Sequence, residues 1–184
     1  VVNDVNRAPS LAAIGNKSVD ENLLLQFTVS ASDPDGGIPA LSATNVPIGA
    51  SFADNGNGTG TFSWTPTYFQ SGTYTNVTFS ATDAGAPPTN DSESITIVVN
   101  DVNRAPSLAA IGNKSIDENA LLQFNVTASD PDNNGLTLSA ANLPSGASFT
   151  DNGNGSGSFS WTPTYEQSGT YPNIGITVQD DAQQ

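Results

Sequence analysis

Apolar residues recur at every second position over short stretches of this chain. Leu25-Gln26-Phe27-Thr28-Val29, Gly60-Thr61-Phe62-Ser63-Trp64 and Ser94-Ile95-Thr96-Ile97-Val98-Val99 are such runs, and Val77-Thr78-Phe79-Ser80-Ala81 is another. A period of two places alternate side chains on opposite faces of an extended strand. Between the runs lie turn sequences. Asp33-Pro34-Asp35-Gly36-Gly37 is one, and the Asn-Gly pairs of Asp54-Asn55-Gly56-Asn57-Gly58 supply the positive φ that a tight hairpin needs. With shorter strands at Ser18-Val19, Ala40 to Asn45 and Ser51-Phe52, one unit holds about seven strands. No apolar period of 3.6 residues is sustained, so the pattern predicts almost no helix. The fold class is all-β, a Greek-key sandwich.

The pattern repeats. Asp4-Val5-Asn6-Arg7-Ala8-Pro9 returns as Asp101-Val102-Asn103-Arg104-Ala105-Pro106, and Glu21, Asp33, Trp64, Tyr74 and Asp83 return as Glu118, Asp130, Trp161, Tyr171 and Asp180. The offset is 97 residues throughout, without insertion or deletion. That period is too long for a solenoid and matches a whole sandwich. The expected organisation is a first repeat over 1–100 and a second over 101–184. The second ends before its counterpart of Ser94 to Val99, so it lacks its last strand. The strand is expected in a longer parent chain; donation by a neighbouring chain, or toleration of the gap, are the alternatives. Val1-Val2-Asn3 reads as the tail of a preceding unit's last strand. Trp64 and Trp161 are expected to pack in the cores, and Tyr74 and Tyr171 to hold a corner turn.

Composition narrows the chemistry. The chain has no Cys, His or Met, with 4 basic and 18 acidic residues for a net charge of −14. Without Met it is expected to be a piece of something longer. Such acidity repels nucleic acid phosphates and anionic lipid, and attracts cations. No apolar run is long enough for a membrane helix. With neither His nor Cys, the usual bases and nucleophiles are missing, so no enzyme is expected.

Asn142-Leu143-Pro144-Ser145-Gly146-Ala147-Ser148-Phe149, Gly157-Ser158-Phe159-Ser160-Trp161-Thr162-Pro163, Ser168-Gly169-Thr170-Tyr171 and the Asp101 to Pro106 linker resemble the bacterial cadherin-like and immunoglobulin-like repeats of surface adhesins, the dystroglycan-type cadherin-like group. The resemblance covers essentially the whole chain. It implies calcium at the junction of consecutive domains, because calcium takes six to eight oxygens and a junction gathers them from both sides. The ligands it implies are Glu21 of the first domain, Asp101 and Asn103 of the linker, and Asp130, Asp132 and Asp180 of the second. Asp4, Asp33, Asp35, Asp83, Glu118 and Glu166 would be half-sites at the outer ends.

Two departures reduce the cluster. Arg104 stands where cadherin linkers carry Asp, and Phe69 where they carry a second Glu, so one ion, or two at most, is expected. The metal-free alternative is a solvated turn at Asp130-Pro131-Asp132, with Arg104 bound to Asp101 or Asp130.

The expected function is a non-enzymatic extracellular or cell-surface spacer, stiffened by Ca2+ and partnered by neighbouring repeats. The alternatives are a module binding polysaccharide or another surface protein, for which Tyr68, Phe69 and Tyr165 are the candidate aromatics, and a filament subunit joined by strand exchange.

Overall fold

A computed structural model describes residues 5–182. They divide into two units, Val1–Val102 and Asn103–Gln184. Asp4 and the Val1-Val2-Asn3 tail lie outside the described residues.

Unit 1 has eight strands: β1 (Ser10–Leu11), β2 (Lys17–Asp20), β3 (Leu25–Ser32), β4 (Ala40–Thr44), β5 (Ser51–Asp54), β6 (Thr59–Trp64), β7 (Gly72–Thr82) and β8 (Asn90–Asn100). They form two four-stranded sheets, in the orders β1-β3-β6-β5 and β2-β8-β7-β4. All pairs are antiparallel except β2 with β8. The strand beyond the expected seven is β1, a two-residue contact with β3 too short to leave a periodic signal.

The alternation aims one face of each sheet inward. Val29, Phe62 and Trp64 of the first sheet meet Val77, Phe79, Ile95, Ile97 and Val99 of the second. Phe27 stacks on Phe62 with ring centroids 4.9 Å apart, and Phe79 stands edge-on to both. Gly60 is required where it sits. A Cβ there would lie 2.3 Å from Cζ of Phe52, so the bare backbone of β6 makes room for the ring on β5. Gly58 closes the β5–β6 hairpin at φ 78° with a Cβ position only 2.9 Å from the Ala31 carbonyl oxygen, so it has both conformational and steric reasons.

Unit 2 repeats the first sheet as β12-β13-β10-β9, where β9 is Ser107–Leu108, β10 Leu122–Ser129, β12 Ser148–Asp151 and β13 Ser156–Trp161. Its second sheet has two strands, β11 (Leu136–Ala141) and β14 (Gly175–Asp180). With its last strand absent, six strands were expected and six are present, but they are not the same six: β9, the counterpart of β1, is gained and the counterpart of β2 is lost. In unit 1, β2 and the first half of β7 pair with β8; the segments at those positions in unit 2, 114–117 and 169–174, belong to no sheet.

Both tryptophans are buried, each edge-on to the tyrosine of its unit at 5.0 and 4.9 Å. The hydroxyls of Tyr74 and Tyr171 donate to the carbonyls of Gln70 (3.0 Å) and Gln167 (2.9 Å), which is the expected corner role. Among the described residues no helix is long and apolar enough to cross a membrane.

Candidate metal centre

The Arg-Ala-Pro and Asp-Pro-Asp sequences of each repeat meet at one end of its unit. In unit 1, Arg7 donates its backbone N–H to Asp35 Oδ2 (2.7 Å), its Nε to Oδ1 (2.6 Å) and its Nη2 to the Pro34 carbonyl (2.7 Å). In unit 2, Arg104 holds Asp132 the same way, at 2.7 Å from its backbone and 2.8 Å from Nε, with Nη2 2.8 Å from the Pro131 carbonyl. The arginine's acid is therefore Asp132, and neither Asp101 nor Asp130 as the metal-free alternative had it. The guanidinium and the backbone N–H hold Asp132 below the usual carboxylate range. In unit 1 the Arg7 backbone N–H, then its side chain, do the same to Asp35.

Behind this clamp the two units differ. In unit 2, Asp130 Oδ1 accepts the N–H groups of Asp132 (2.7 Å) and Asn134 (3.2 Å), closing the turn. Asn103 Nδ2 donates to Asp180 Oδ2 at 3.1 Å, tying the segment before β9 to the end of β14. That bond fixes the amide, since a flipped Asn103 would set oxygen against oxygen. Three oxygens remain: Asn103 Oδ1, Asp130 Oδ2 and Asn134 Oδ1 are buried and have no hydrogen-bond partner. Among the described residues the only other such atom is Trp64 Nε1, in the core of unit 1.

Among the described residues of unit 1 no side-chain oxygen is both buried and without a partner, and the counterpart of Asp180 is saturated. Asp83 takes the Thr89 hydroxyl, the N–H groups of Thr89 (2.9 Å) and Gly85 (3.0 Å), and Asn6 Nδ2 (3.0 Å). These donors, Thr89 foremost, hold its carboxyl down at about 2. Gly37 stands where unit 2 has Asn134. The reading of the sequence missed Asn134, although the comparison of Asp130-Pro131-Asp132-Asn133-Asn134 with Asp33-Pro34-Asp35-Gly36-Gly37 contains it: an oxygen-bearing side chain replaces a glycine.

Of the six residues expected as ligands, Asn103, Asp130, Asp132 and Asp180 belong to unit 2. Glu21 and Asp101 belong to unit 1. Glu21 is 2% exposed and accepts the N–H groups of Ser71 (2.9 Å) and Val102 (3.1 Å), while Asp101 is exposed. Among the described residues no three acidic side chains form a group that could hold a metal ion. The available oxygens of unit 2 are one carboxylate and two amides. Phe69 and Tyr165 are exposed, whereas Tyr68 is half-buried with its hydroxyl 3.4 Å from Asn22 Nδ2.

Residues 8–100 match the family described as "Putative Ig domain", and residues 100–184 match "Bacterial Ig domain". The chain belongs to the bacterial immunoglobulin-like repeats. Solved structures similar to this tandem pair include human CDH23 EC21-23, at 17% identity and TM-score 0.58 over 96% of this chain, and Protocadherin Gamma B2 extracellular cadherin domains 3-6, at 16% and 0.59 over 94%. The immunoglobulin-like pair spans 64% and 43% of those chains. Identity this low speaks to the fold alone, which is cadherin-like. No curated protein matches the sequence. This family and fold support a non-enzymatic adhesion or structural repeat.

Proposed function

We propose that this immunoglobulin-like pair is an extracellular spacer or adhesion repeat whose second unit binds one calcium ion, with neighbouring repeats as its partners. The observation that carries the reading is the set of three buried, unpartnered oxygens on Asn103, Asp130 and Asn134. A buried polar atom without a partner is costly and calls for an explanation. Buried acceptor oxygens on one carboxylate and two amides, none with a hydrogen-bond partner, suit a hard cation that takes oxygen ligands. Asn103, Asp130 and Asn134 would hold the ion, with Asp180 beside Asn103; the ion supplies the positive charge these acceptors lack. Arg104 already satisfies both Asp132 oxygens, which keeps the site small and supports one ion rather than several. The ion would fasten the segment entering unit 2 to the ends of β10 and β14, and so stiffen that entry.

Calorimetric titration of calcium into chelator-treated protein tests this. We expect one ion per chain, with the heat abolished by Asp130→Ala. Absence of binding at millimolar calcium removes the mechanism and leaves a metal-free spacer.

A further inference from the structure

One hairpin of each repeat carries the same five residues, Asp54-Asn55-Gly56-Asn57-Gly58 in unit 1 and Asp151-Asn152-Gly153-Asn154-Gly155 in unit 2. Each hairpin therefore holds two asparagines followed by glycine. Such a pair is chemically labile, because a glycine has no side chain to keep its backbone nitrogen from the carboxamide carbon of the asparagine before it. The sequence does not distinguish the two pairs of a hairpin. Nor do the backbone angles: Gly56 and Gly58 have φ of 73° and 78°, and Gly153 and Gly155 both have 72°. Their hydrogen bonds differ.

The first pair is held back at the attacking nitrogen. The Gly56 N–H donates to Asp54 Oδ1 and the Gly153 N–H to Asp151 Oδ1, both at 2.9 Å. That nitrogen must lose its proton before it attacks, and a carboxylate at hydrogen-bond distance opposes the negative charge that results. A fifth pair, Asn134-Gly135, is held in the same way, with the Gly135 N–H 2.8 Å from Asp181 Oδ1. The second pair of each hairpin differs at both ends. Among the described residues the N–H groups of Gly58 and Gly155 donate to nothing. Asn57 Oδ1 accepts the Thr59 hydroxyl (2.6 Å) and the Thr59 N–H (3.1 Å), and Asn154 Oδ1 accepts the Ser156 hydroxyl (2.6 Å). Each hydroxyl in turn accepts Nδ2 of the first asparagine, at 2.9 Å from Asn55 and from Asn152. Hydrogen bonds in a chain polarise one another. This chain ends on the oxygen that turns negative when the carboxamide is attacked, where a fixed donor lowers the barrier.

We infer that Asn57 and Asn154 are sites of intramolecular deamidation, activated by the hydroxyls of Thr59 and Ser156, and that Asn55, Asn134 and Asn152 are held back. Solvent hydroxide takes the proton of the glycine N–H. The nitrogen forms a bond to Cγ of the asparagine, the bond from Cγ to Nδ2 breaks, and Nδ2 takes a proton from water and leaves as ammonia. Water then opens the five-membered imide at either carbonyl, giving aspartate or isoaspartate. The sum is one water consumed and one ammonia released, with no change of oxidation state. Asn57 and Asn154 are exposed, so solvent reaches both carboxamides. Gly58 is buried and Gly155 half-buried, so solvent reaches the attacking nitrogen more readily in unit 2, where the variants are made. Each event adds one negative charge, and isoaspartate lengthens the backbone of the turn by one methylene. The inference is independent of the calcium reading.

The 184-residue protein is aged at mildly alkaline pH, in buffer and in urea, and peptide mass mapping follows the mass gained at each asparagine. In buffer, Asn154 reacts about tenfold faster than Asn152, the worth of one hydrogen bond, and Asn57 outpaces Asn55 in the same way. In urea the hydrogen bonds are gone, and the two asparagines of a hairpin react at similar rates. Ser156→Ala removes the donor and slows Asn154 about tenfold in buffer. Ser156→Thr supplies the hydroxyl that unit 1 carries at that register and keeps the wild-type rate. Should Ser156→Ala unfold unit 2, the wild-type ratio of Asn154 to Asn152 in buffer against urea decides alone. Equal rates at Asn152 and Asn154 in the folded protein overturn the inference. So does an Asn154 rate that Ser156→Ala leaves unchanged in a folded unit.

Discussion

Asn134→Gly gives unit 2 the residue that unit 1 carries at the same register. Without calcium, the substitution deletes a buried oxygen that has no partner, a defect worth about 1–3 kcal/mol. Against that, glycine costs about 0.5–1 kcal/mol in added chain freedom. The net effect runs from about zero to about 2.5 kcal/mol of stabilisation. For a unit of roughly 80 residues, 1 kcal/mol moves the melting temperature by about 4–8 °C, so the variant melts at or above the wild type in chelator. With calcium at about 100 times the dissociation constant, the wild type gains about 2.7 kcal/mol. A variant whose affinity is about tenfold weaker gains about 1.4 kcal/mol at the same concentration. The mutation thus helps or is neutral without the ion, and forfeits about half of the calcium gain with it. Differential scanning calorimetry of both proteins, with chelator and with calcium, reads the two differences. If the variant melts below the wild type in chelator, Asn134 Oδ1 carries no desolvation penalty and the argument fails. If calcium raises both proteins equally, Asn134 is not a ligand.

Three further outcomes are expected. Arg104→Ala lowers the melting transition of unit 2 more than Arg7→Ala lowers that of unit 1, because the Asp132 side chain is 9% exposed and the Asp35 side chain 18%; equal shifts by calorimetry contradict this. Asp35, Asp54, Asp83, Asp132 and Asp151 all sit below the ordinary carboxylate value of 3.8 in the fold, so the unfolded chain takes up protons first as pH falls. Their stabilisation is whole above about pH 4 and is lost towards about pH 2; urea midpoints that rise across that window would refute the sign. Gly60→Ala forces a methyl group against Phe52 and costs about 1–3 kcal/mol by urea unfolding. Gly157→Ala meets Phe149 at a similar 2.2 Å but costs less, because Phe52 is also wedged edge-on against Phe79 and the residue at that register in unit 2 is Ile176.

The sequence by itself determined the elements and their copy number. A two-residue period in Phe62-Ser63-Trp64 leaves one face for the core whatever its partner, and a constant 97-residue offset admits only a duplicated domain. Asn-Gly turns carry their backbone angles in their own chemistry, so the hairpins were legible too. Pairing was less so. The contact of β1 with β3 spans two residues, and the stretch 169–174 has the same kind of residues as the start of β7 yet belongs to no sheet, because a strand is a property of two segments. The candidate site divides along the same line. The resemblance named Asn103, Asp130, Asp132 and Asp180; Asn103 donates to Asp180, and Asp130 accepts the backbone N–H of Asp132. Only the tertiary structure decided that Arg104 spends itself on Asp132, that Glu21 is satisfied by two backbone N–H groups of its own unit, and that Asn134 adds an oxygen. Hydrogen-bond satisfaction depends on which donors reach each oxygen in space, and no spacing along the chain records that.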